Sequence, residues 1–345
     1  MIRNNPCRVI IFTGSNPHIF PGGSNNFILN LTSKIDENIY ISYHYLPDRV
    51  MKIKHIPKRP LYFIYTGFWV LFNHNIYDLI ISNCPEASFL ISLTKNKFVH
   101  IFHGNTNPVK MSKFWFGKYF VPVFDFFEKR IIQKASKLYT VGEKKLGAEK
   151  LLNPIPKENN EIELKNRKDF YFVGRLEKVK NIDRIIRIHS LLPSWIKEEH
   201  GLIIIGKGSQ EEALKSFTRD NHLEEFIHFE GAISNKEVVA RLKTAKLLIL
   251  ASHFEGFPMV IAESLSVGLP VISTDVGDIQ SLVKNGFNGF CINKAENDSR
   301  FVDAILMILK DYENYAKNAY KSSEVFNAQT IADKFTEDIL RIAKT

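Results

Sequence analysis

The stretch ASHFEGFPMVIAESLSVGLPVISTDV, residues 251–276, constrains this chain more than any other. It overlaps AKLLILAS (Ala245 to Ser252), an apolar run of strand length. Pro258 suits the opening of a helix, where a missing N–H is no loss, and Gly268 followed by Pro270 suits its end. A short helix over 258–267 is expected, followed by a second strand in the β-branched run VIST. A unit of strand, loop, helix and strand belongs to an open α/β sheet, which places ligands outside the carboxyl ends of its strands. Glu255 falls in the loop at such an end and Glu263 on the helix, seven residues lying between them. The first-turn N–H groups of the helix, around Met259 to Ile261, form an expected anion site. Read alone, Glu255 also fits a solvated loop carboxylate and Glu263 a polar position on a half-buried helix, so the remaining segments must decide.

At 345 residues and 45% hydrophobic content, two buried cores are expected. No run approaches eighteen consecutive apolar residues, and MIRNNPCRVI enters a strand-like segment without a secretory leader pattern. Cys7, Cys84 and Cys291 are too scattered for CxxC or Cys/His ligand spacing, so neither a disulfide framework nor a metal site is expected. That usage fits a reducing cytoplasm. A formal net charge of +9 requires an anionic partner: nucleic acid, an anionic membrane surface or a phosphorylated substrate. Nucleic acid is disfavoured, because the chain has no zinc-finger or RNP-type motif.

Arg8 to Phe12 (RVIIF) reads as a first strand, with a helix from about Asn26 to Ser33 after it. The pair Gly22-Gly23 at that helix entrance would let backbone N–H groups approach a phosphate or sugar, or would make an ordinary turn. IYISYHYL, YDLIISN and KFVHIFHGN are further strands. The last ends at His103 and Gly104, which sets an imidazole where ligands bind, with a satisfied structural histidine as the alternative. LYFIYTGFWVLF (Leu61 to Phe72) follows the basic segment DRVMKIKHIPKRP and is too short to span a bilayer. It is expected to be a buried helix of the first domain, with a membrane-contacting edge as the alternative. In KMSKFWFGKYF, the cations Lys110, Lys113 and Lys118 alternate with aromatics including Trp115 and Phe116, which marks the better candidate for peripheral contact with an anionic membrane. Phe124 to Lys137 then reads as an amphipathic helix.

LLNPIPKENNEIELKNRKD (Leu151 to Asp169) is rich in Pro, Asn and charge, so a linker is expected over 154–169. It separates an N-terminal domain, 1–153, from a second domain, 170–325, and a C-terminal helix, 326–345, is expected to pack back on the first. The second domain opens with the strand FYFVGRL, whose following loop holds Gly174, Arg175 and Lys180. Two cations beside a helix N-terminus suit a diphosphate, and Arg175 can fork onto two oxygens. LIIIGKGSQEEAL repeats the design with Gly206 and Gly208 in its turn, but lacks the third glycine and the acidic residue of a dinucleotide fingerprint.

GRLEKVKN, LIIIGKGSQEEAL, IHFEGAI and above all EGFPMVIAE with GLPVISTDVG, in that order, resemble the donor-binding domain of the retaining GT-B glycosyltransferases of family 4. The resemblance is close over 170–290 and looser before it, where it rests on the Gly-Gly loop and on His103-Gly104. It implies an α/β GT-B fold: two Rossmann-like doubly wound domains facing across a cleft, the first binding an acceptor and the second a nucleotide sugar. It implies that Arg175 and Lys180 hold the donor diphosphate, that Glu255 faces the transferred sugar and that Glu263 bonds the ribose. Gly174, Gly206 and Gly208 join the donor-binding set, and Gly256, Phe257, Pro258, Met259 and Val260 supply backbone contacts. Gly22 and Gly23 close over the donor, and His103 lines the acceptor side. One departure is that Asp278 and Ser281 stand where the family often carries a second glycine and a glutamate. No metal or other cofactor is implied, because the nucleoside-diphosphate sugar is a substrate.

The expected activity is retaining transfer of a sugar, UDP-linked, to a glycan acceptor that is lipid-linked. Its setting would be synthesis of bacterial-type surface polysaccharide, lipopolysaccharide or capsule, in the cytoplasm or peripherally on the inner face of the plasma membrane. A GT-B sugar-nucleotide epimerase would need acid/base groups on both sides of the sugar, where only Glu255 and His103 are evident. A nicotinamide-dependent oxidoreductase lacks its GxGxxG here, and a non-enzymatic binding module has no need of Glu255 beside two cations.

Overall fold

Continuous apolar runs such as Leu79–Ser82 and Leu202–Ile205 are buried along their whole length, the mark of parallel strands covered on both faces. The computed structural model describes residues 6–20, 23–53, 57–73, 76–103, 121–141, 145, 147–155, 162–255 and 258–344. The chain divides into two units, Met1–Pro156 with Asn327–Thr345, and Lys157–Phe326.

The first unit runs β1 (Cys7–Phe12), α1 (Gly23–Thr32), β2 (Ile39–His44), α2 (Asp48–Met51), α3 (Lys58–Asn73), β3 (Leu79–Ser82) and α4 (Pro85–Ile91). It continues with β4 (Phe98–Phe102), α5 (Val121–Lys134), β5 (Lys137–Thr140) and β6 (Glu149–Lys150). Its strands are parallel in the order β2-β1-β3-β4-β5-β6. Because side chains alternate along a strand, Val9 and Ile11 enter one core and Ile10 and Phe12 the other. The second core takes Tyr62 and Val70 of α3, Ala87 and Ile91 of α4 and Ile131 of α5.

Helix α3 departs from the buried helix expected over Leu61 to Phe72. It is helical, but within it only Tyr62, Thr66 and Val70 are buried, whereas Phe68, Leu71 and Phe72 are 61%, 67% and 79% exposed. The run is apolar all round and the sheet covers one stripe of it.

The second unit runs β7 (Lys168–Val173), α6 (Ile182–Ser190), α7 (Ser194–Glu199), β8 (Leu202–Ile205), α8 (Glu211–Asp220), β9 (Ile227–Gly231) and α9 (Asn235–Thr244). It continues with β10 (Ala245–Ile249), α10 (Met259–Ser266), β11 (Val271–Thr274), β12 (Gly289–Ile292), α11 (Asp298–Lys310) and α12 (Tyr312–Ser322). The parallel order is β12-β11-β10-β7-β8-β9, so the sheet winds outward from β7 through β8 and β9, then from its other side through β10, β11 and β12. The reversal lies between β7 and β10, paired at Leu247 with Phe170 and at Leu248 with Tyr171. In such sheets the crevice at the carboxyl ends of the two reversing strands is the ligand site. The final helix, α13 (Ala328–Lys344), belongs to the first unit. Its Ile331, Phe335, Ile339 and Ile342 join the core of Val9 and Ile11, and Tyr139 of β5 hydrogen-bonds Asp338.

Helix α10 is one residue shorter at each end than the expected 258–267, with Pro258 as its N-cap. Its end is fixed from a distance. Gly268 turns the chain at φ +68°, a conformation that favours glycine. Arg167, in the segment read as linker, is buried and donates to the Val267 carbonyl and, at 2.9 Å, to the Gly268 carbonyl. It thereby satisfies carbonyls that have no partner within the helix, with a cation at the negative end of the dipole. Asp169 in the same segment accepts from the Gly201 amide at 2.8 Å, so 162–169 is built into the second unit. Among the described residues, no helix is long and apolar enough to cross a membrane. Arg167→Ala strips these carbonyls of their partner; urea unfolding is expected to show a loss of about 2 kcal/mol or more, and a change within about 0.5 kcal/mol would contradict the capping role.

Candidate functional site

The carboxyl ends of β7 and β10 carry two loops that are bonded together. The loop after β7 passes through a 3-10 turn, Lys178–Lys180, to Asn181, which sits in the left-handed region at φ 53° as the N-cap of α6. Asn181 donates through Nδ2 to the Ala251 carbonyl at 3.2 Å, and the His253 amide donates to the Val179 carbonyl at 2.8 Å. These two bonds fix Lys180 against Glu255. Its Nζ lies 2.7 Å from both carboxylate oxygens, and Ser252 donates through Oγ to Oε1 at 2.6 Å. Thr274 at the end of β11 holds the Ser252 carbonyl at 2.7 Å, so three adjacent strand ends contribute. Glu255 is only 6% exposed. A carboxylate so placed needs a cation and hydrogen bonds, or its desolvation is uncompensated. Lys180 and Ser252 supply both to Glu255. Arg175 is exposed in the same loop and makes no side-chain ion pair among the described residues.

The glycines of the two turns meet backbone to backbone. A Cβ on Gly206, at φ +143°, would lie 1.8 Å from the Gly174 oxygen, and one on Gly208 would lie 2.3 Å from the Leu176 oxygen. The Gly174 amide donates to Ile205 and the Leu176 amide to Lys207, both at 3.0 Å. This close approach accounts for Gly206 and Gly208 without a ligand, and it fixes the loop that presents Arg175.

Helix α10 begins without a side-chain cap and with no acid in its first turn, so no carboxylate of its own meets its positive end. One expectation is corrected here: the Ile261 amide is not open, because it donates to the Pro258 carbonyl at 3.0 Å. Pro258 and Val260 stand at the helix start as expected, with Met259 between them. Glu263 is 7% exposed, and its Oε1 accepts from Asn235 Nδ2 at 3.4 Å. Burial raises its pKa, while the Asn235 bond pulls the other way. Asn235 opens α9, whose start is set by a capping box between Ser234 and Glu237. Sequence reading missed Ser252, Asn235 and Arg167. Ser252 stands three residues before Glu255 and was in reach of a local argument; Asn235 lies 28 residues from Glu263 and gives no local signal.

In the first unit, Gly23 opens α1, and a Cβ there would meet nothing within 4 Å. His103 follows β4 and packs edge-on against Phe27 of α1, ring centroids 5.1 Å apart, which brings it close to that first turn. The residue keeps solvent access, but the packed ring is desolvated, which lowers its pKa and leaves the imidazole neutral at pH 7. Gly22, Gly256, Phe257, Lys110, Lys113, Trp115, Phe116 and Lys118 lie outside the described residues. Among the described residues, no group of three or more His, Cys, Asp and Glu side chains could hold a metal ion.

Residues 155–324 match the family described as Glycosyl transferases group 1. An uncharacterized glycosyltransferase of Methanocaldococcus jannaschii is 26% identical over 92% of this chain and 94% of its own. The O-antigen biosynthesis glycosyltransferase WbnH of Escherichia coli is 30% identical over 49% of this chain and 46% of its own. Poly(glycerol-phosphate) alpha-glucosyltransferase of Bacillus subtilis is 31% identical over 45% of this chain, which spans only 23% of that protein. Among solved structures, Anabaena HepE in complex with UDP-glucose superposes with a TM-score of 0.71, at 17% identity and over 97% and 99% of the two chains. At that identity the likeness shows the fold, and the two doubly wound sheets are those of GT-B glycosyltransferases.

Because the folded carboxyl of Glu263 has the higher pKa, the unfolded state loses its proton first as pH rises, and stability falls between the two pKa values. Glu263→Gln removes that loss and can still accept from Asn235. Thermal unfolding is expected to show the variant more stable than the native chain at pH 7 and no different at pH 3; an unchanged difference across that range would contradict the burial effect.

Proposed function

We propose, from the match of residues 155–324 to the glycosyl transferases group 1 family, a retaining glycosyltransferase that moves a hexose from a UDP-sugar to a glycan acceptor. The acceptor is lipid-linked, the product a bacterial-type surface polysaccharide, lipopolysaccharide or capsule, and the place the inner face of the plasma membrane. The observation that carries this reading is the Lys180–Glu255 pair at the reversal between β7 and β10, with Arg175 in the same loop. HepE was solved with UDP-glucose, and WbnH is named for O-antigen biosynthesis; both support the donor and acceptor classes chosen.

Breaking the bond between a sugar and UDP places negative charge on the leaving diphosphate and positive charge on the anomeric carbon. In this reading Arg175 and Lys180 meet the first, helped by the positive end of the α10 dipole, which has no acidic residue in its first turn, and no metal cofactor is needed. As the diphosphate takes Lys180 as a partner, Glu255 is released to face the oxocarbenium-like carbon. The diphosphate leaves from the face on which the acceptor oxygen arrives, so Glu255 stabilises charge without becoming a covalent nucleophile. Glu263 takes the ribose hydroxyls, which can donate to a buried carboxylate. Gly174, Pro258, Met259 and Val260 border the donor, with Gly256 and Phe257 adjoining them in sequence. We assign Gly23 and the neutral His103 to donor closure and acceptor binding, where an imidazole nitrogen accepts from a hydroxyl.

The test is release of UDP from a panel of UDP-sugars, with and without membrane lipid extract. Release with one donor, raised by the extract, is expected. Glu255→Gln and Lys180→Ala should each lower turnover by about 100-fold or more with an unchanged circular dichroism spectrum. No release with any donor, or near-normal turnover in either variant, would contradict the reading.

A further inference from the structure

Helix α3 presents an apolar face that no described part of the chain covers. Ile64, Phe68, Leu71 and Phe72 recur at helical spacing on the side opposite the buried Tyr62, Thr66 and Val70, and all four are more than half exposed. The surface continues onto α5. Phe89 of α4 stacks on Phe127 of α5 at 3.8 Å between ring centroids, and Phe63 of α3 stacks on the same Phe127 at 6.0 Å. That aromatic stack locks α3, α4 and α5 into one plate, on which Val123 and Phe126 of α5 are also exposed.

Along α3 and the segment just before it the charge has one sign, whereas α5 carries Asp125 and Glu128 beside Phe126, Glu128 being paired with Lys145 at 3.0 Å. Between Asp48 and Asp78 the sequence has no Asp or Glu, but it has Arg49, Lys52, Lys54, Lys58 and Arg59. Arg49 and Lys52 are exposed, Arg59 pairs with the buried Glu86 at 3.4 Å yet keeps 57% of its side chain exposed, and Lys58 spans back to the Val50 carbonyl at 2.6 Å. The cations thus gather at the N-terminal end of α3, and its remaining length carries no charged side chain.

We propose that the outer face of α3, continued by Val123 and Phe126 of α5, is a docking surface for an anionic lipid bilayer. The aromatic and aliphatic side chains enter the boundary between headgroups and acyl chains, and Arg49, Lys52 and Arg59 meet the phosphates. A helix of this length lies in the plane of the interface. A second copy of the chain would offer these cations no carboxylate within the same segment, whereas an anionic headgroup layer supplies a partner for each. The inference deepens the proposed lipid-linked acceptor and rests on that reading for its purpose, not for its geometry.

The test is flotation of the full chain with vesicles of phosphatidylcholine alone and with about one-third phosphatidylglycerol, at low and high salt. Binding to the anionic vesicles is expected, weaker at high salt. Phe68→Ser with Phe72→Ser, and separately Arg49→Ser with Lys52→Ser, should each weaken it about tenfold or more, with the circular dichroism spectrum unchanged because all four side chains are exposed. Three results would overturn the proposal: failure of the native chain to float, native binding by the Phe68/Phe72 variant, or light scattering showing a dimer that this variant dissociates. Calorimetric binding of UDP, measured on the same samples, separates the two readings. UDP binding without flotation removes the docking surface alone, and flotation without UDP binding supports the surface while removing the donor site.

Discussion

A carboxylate sealed at the end of a parallel strand must have a cation within reach, and the second unit is arranged to supply one to Glu255. Lys180 comes from a loop 75 residues earlier in the chain, and it arrives because β7 and β10 are neighbours in the sheet. Asn181 and His253 hold the loops together, and Ser252 and Thr274 extend the network to β11. A buried ion pair adds little to stability beyond compensating its own desolvation. In the proposed reading its consequence lies in chemistry: each of the two opposite charges at the strand ends exchanges its partner for part of a substrate with separated charges.

Helix α10 depends on the same frame. Its positive end lies three residues after Glu255 and has no side-chain cap, while its negative end is held by Arg167, which immediately precedes β7. Glu263 sits on that helix with one weak donor, Asn235, and a desolvated carboxyl. Glu263 accepts this one long bond, whereas Glu255 accepts three short ones. The contrast between the two glutamates follows from what faces them rather than from how deeply they are buried, because both are nearly sealed.

Most of the fold could be read from local signals. Runs such as LIII and VIST are strand-length, and Gly268 followed by Pro270 stops α10 within a residue of where the sequence places it. Glu255, Lys180 and Arg175 could be singled out because each lies just beyond a strand. Contacts between distant segments could not: Arg167 caps a helix 100 residues away from a stretch that composition marks as linker. The Gly206 and Gly208 turn has a second reason for its glycines that the sequence does not show, the close approach of the loop after β7. Helix α3 failed for a different reason. When every residue is apolar, periodicity has no contrast, and only the fold decides which stripe is covered.

The most direct test of the site is calorimetric UDP affinity in the two halves of the pair. In the proposed mechanism Lys180 leaves Glu255 to serve the diphosphate, so the two substitutions should act in opposite directions. Lys180→Ala is expected to weaken UDP binding about tenfold or more, whereas Glu255→Gln, which frees the ammonium, should leave it unchanged or tighter. Equal weakening in both variants, or native affinity in Lys180→Ala, would contradict a diphosphate site built on this pair.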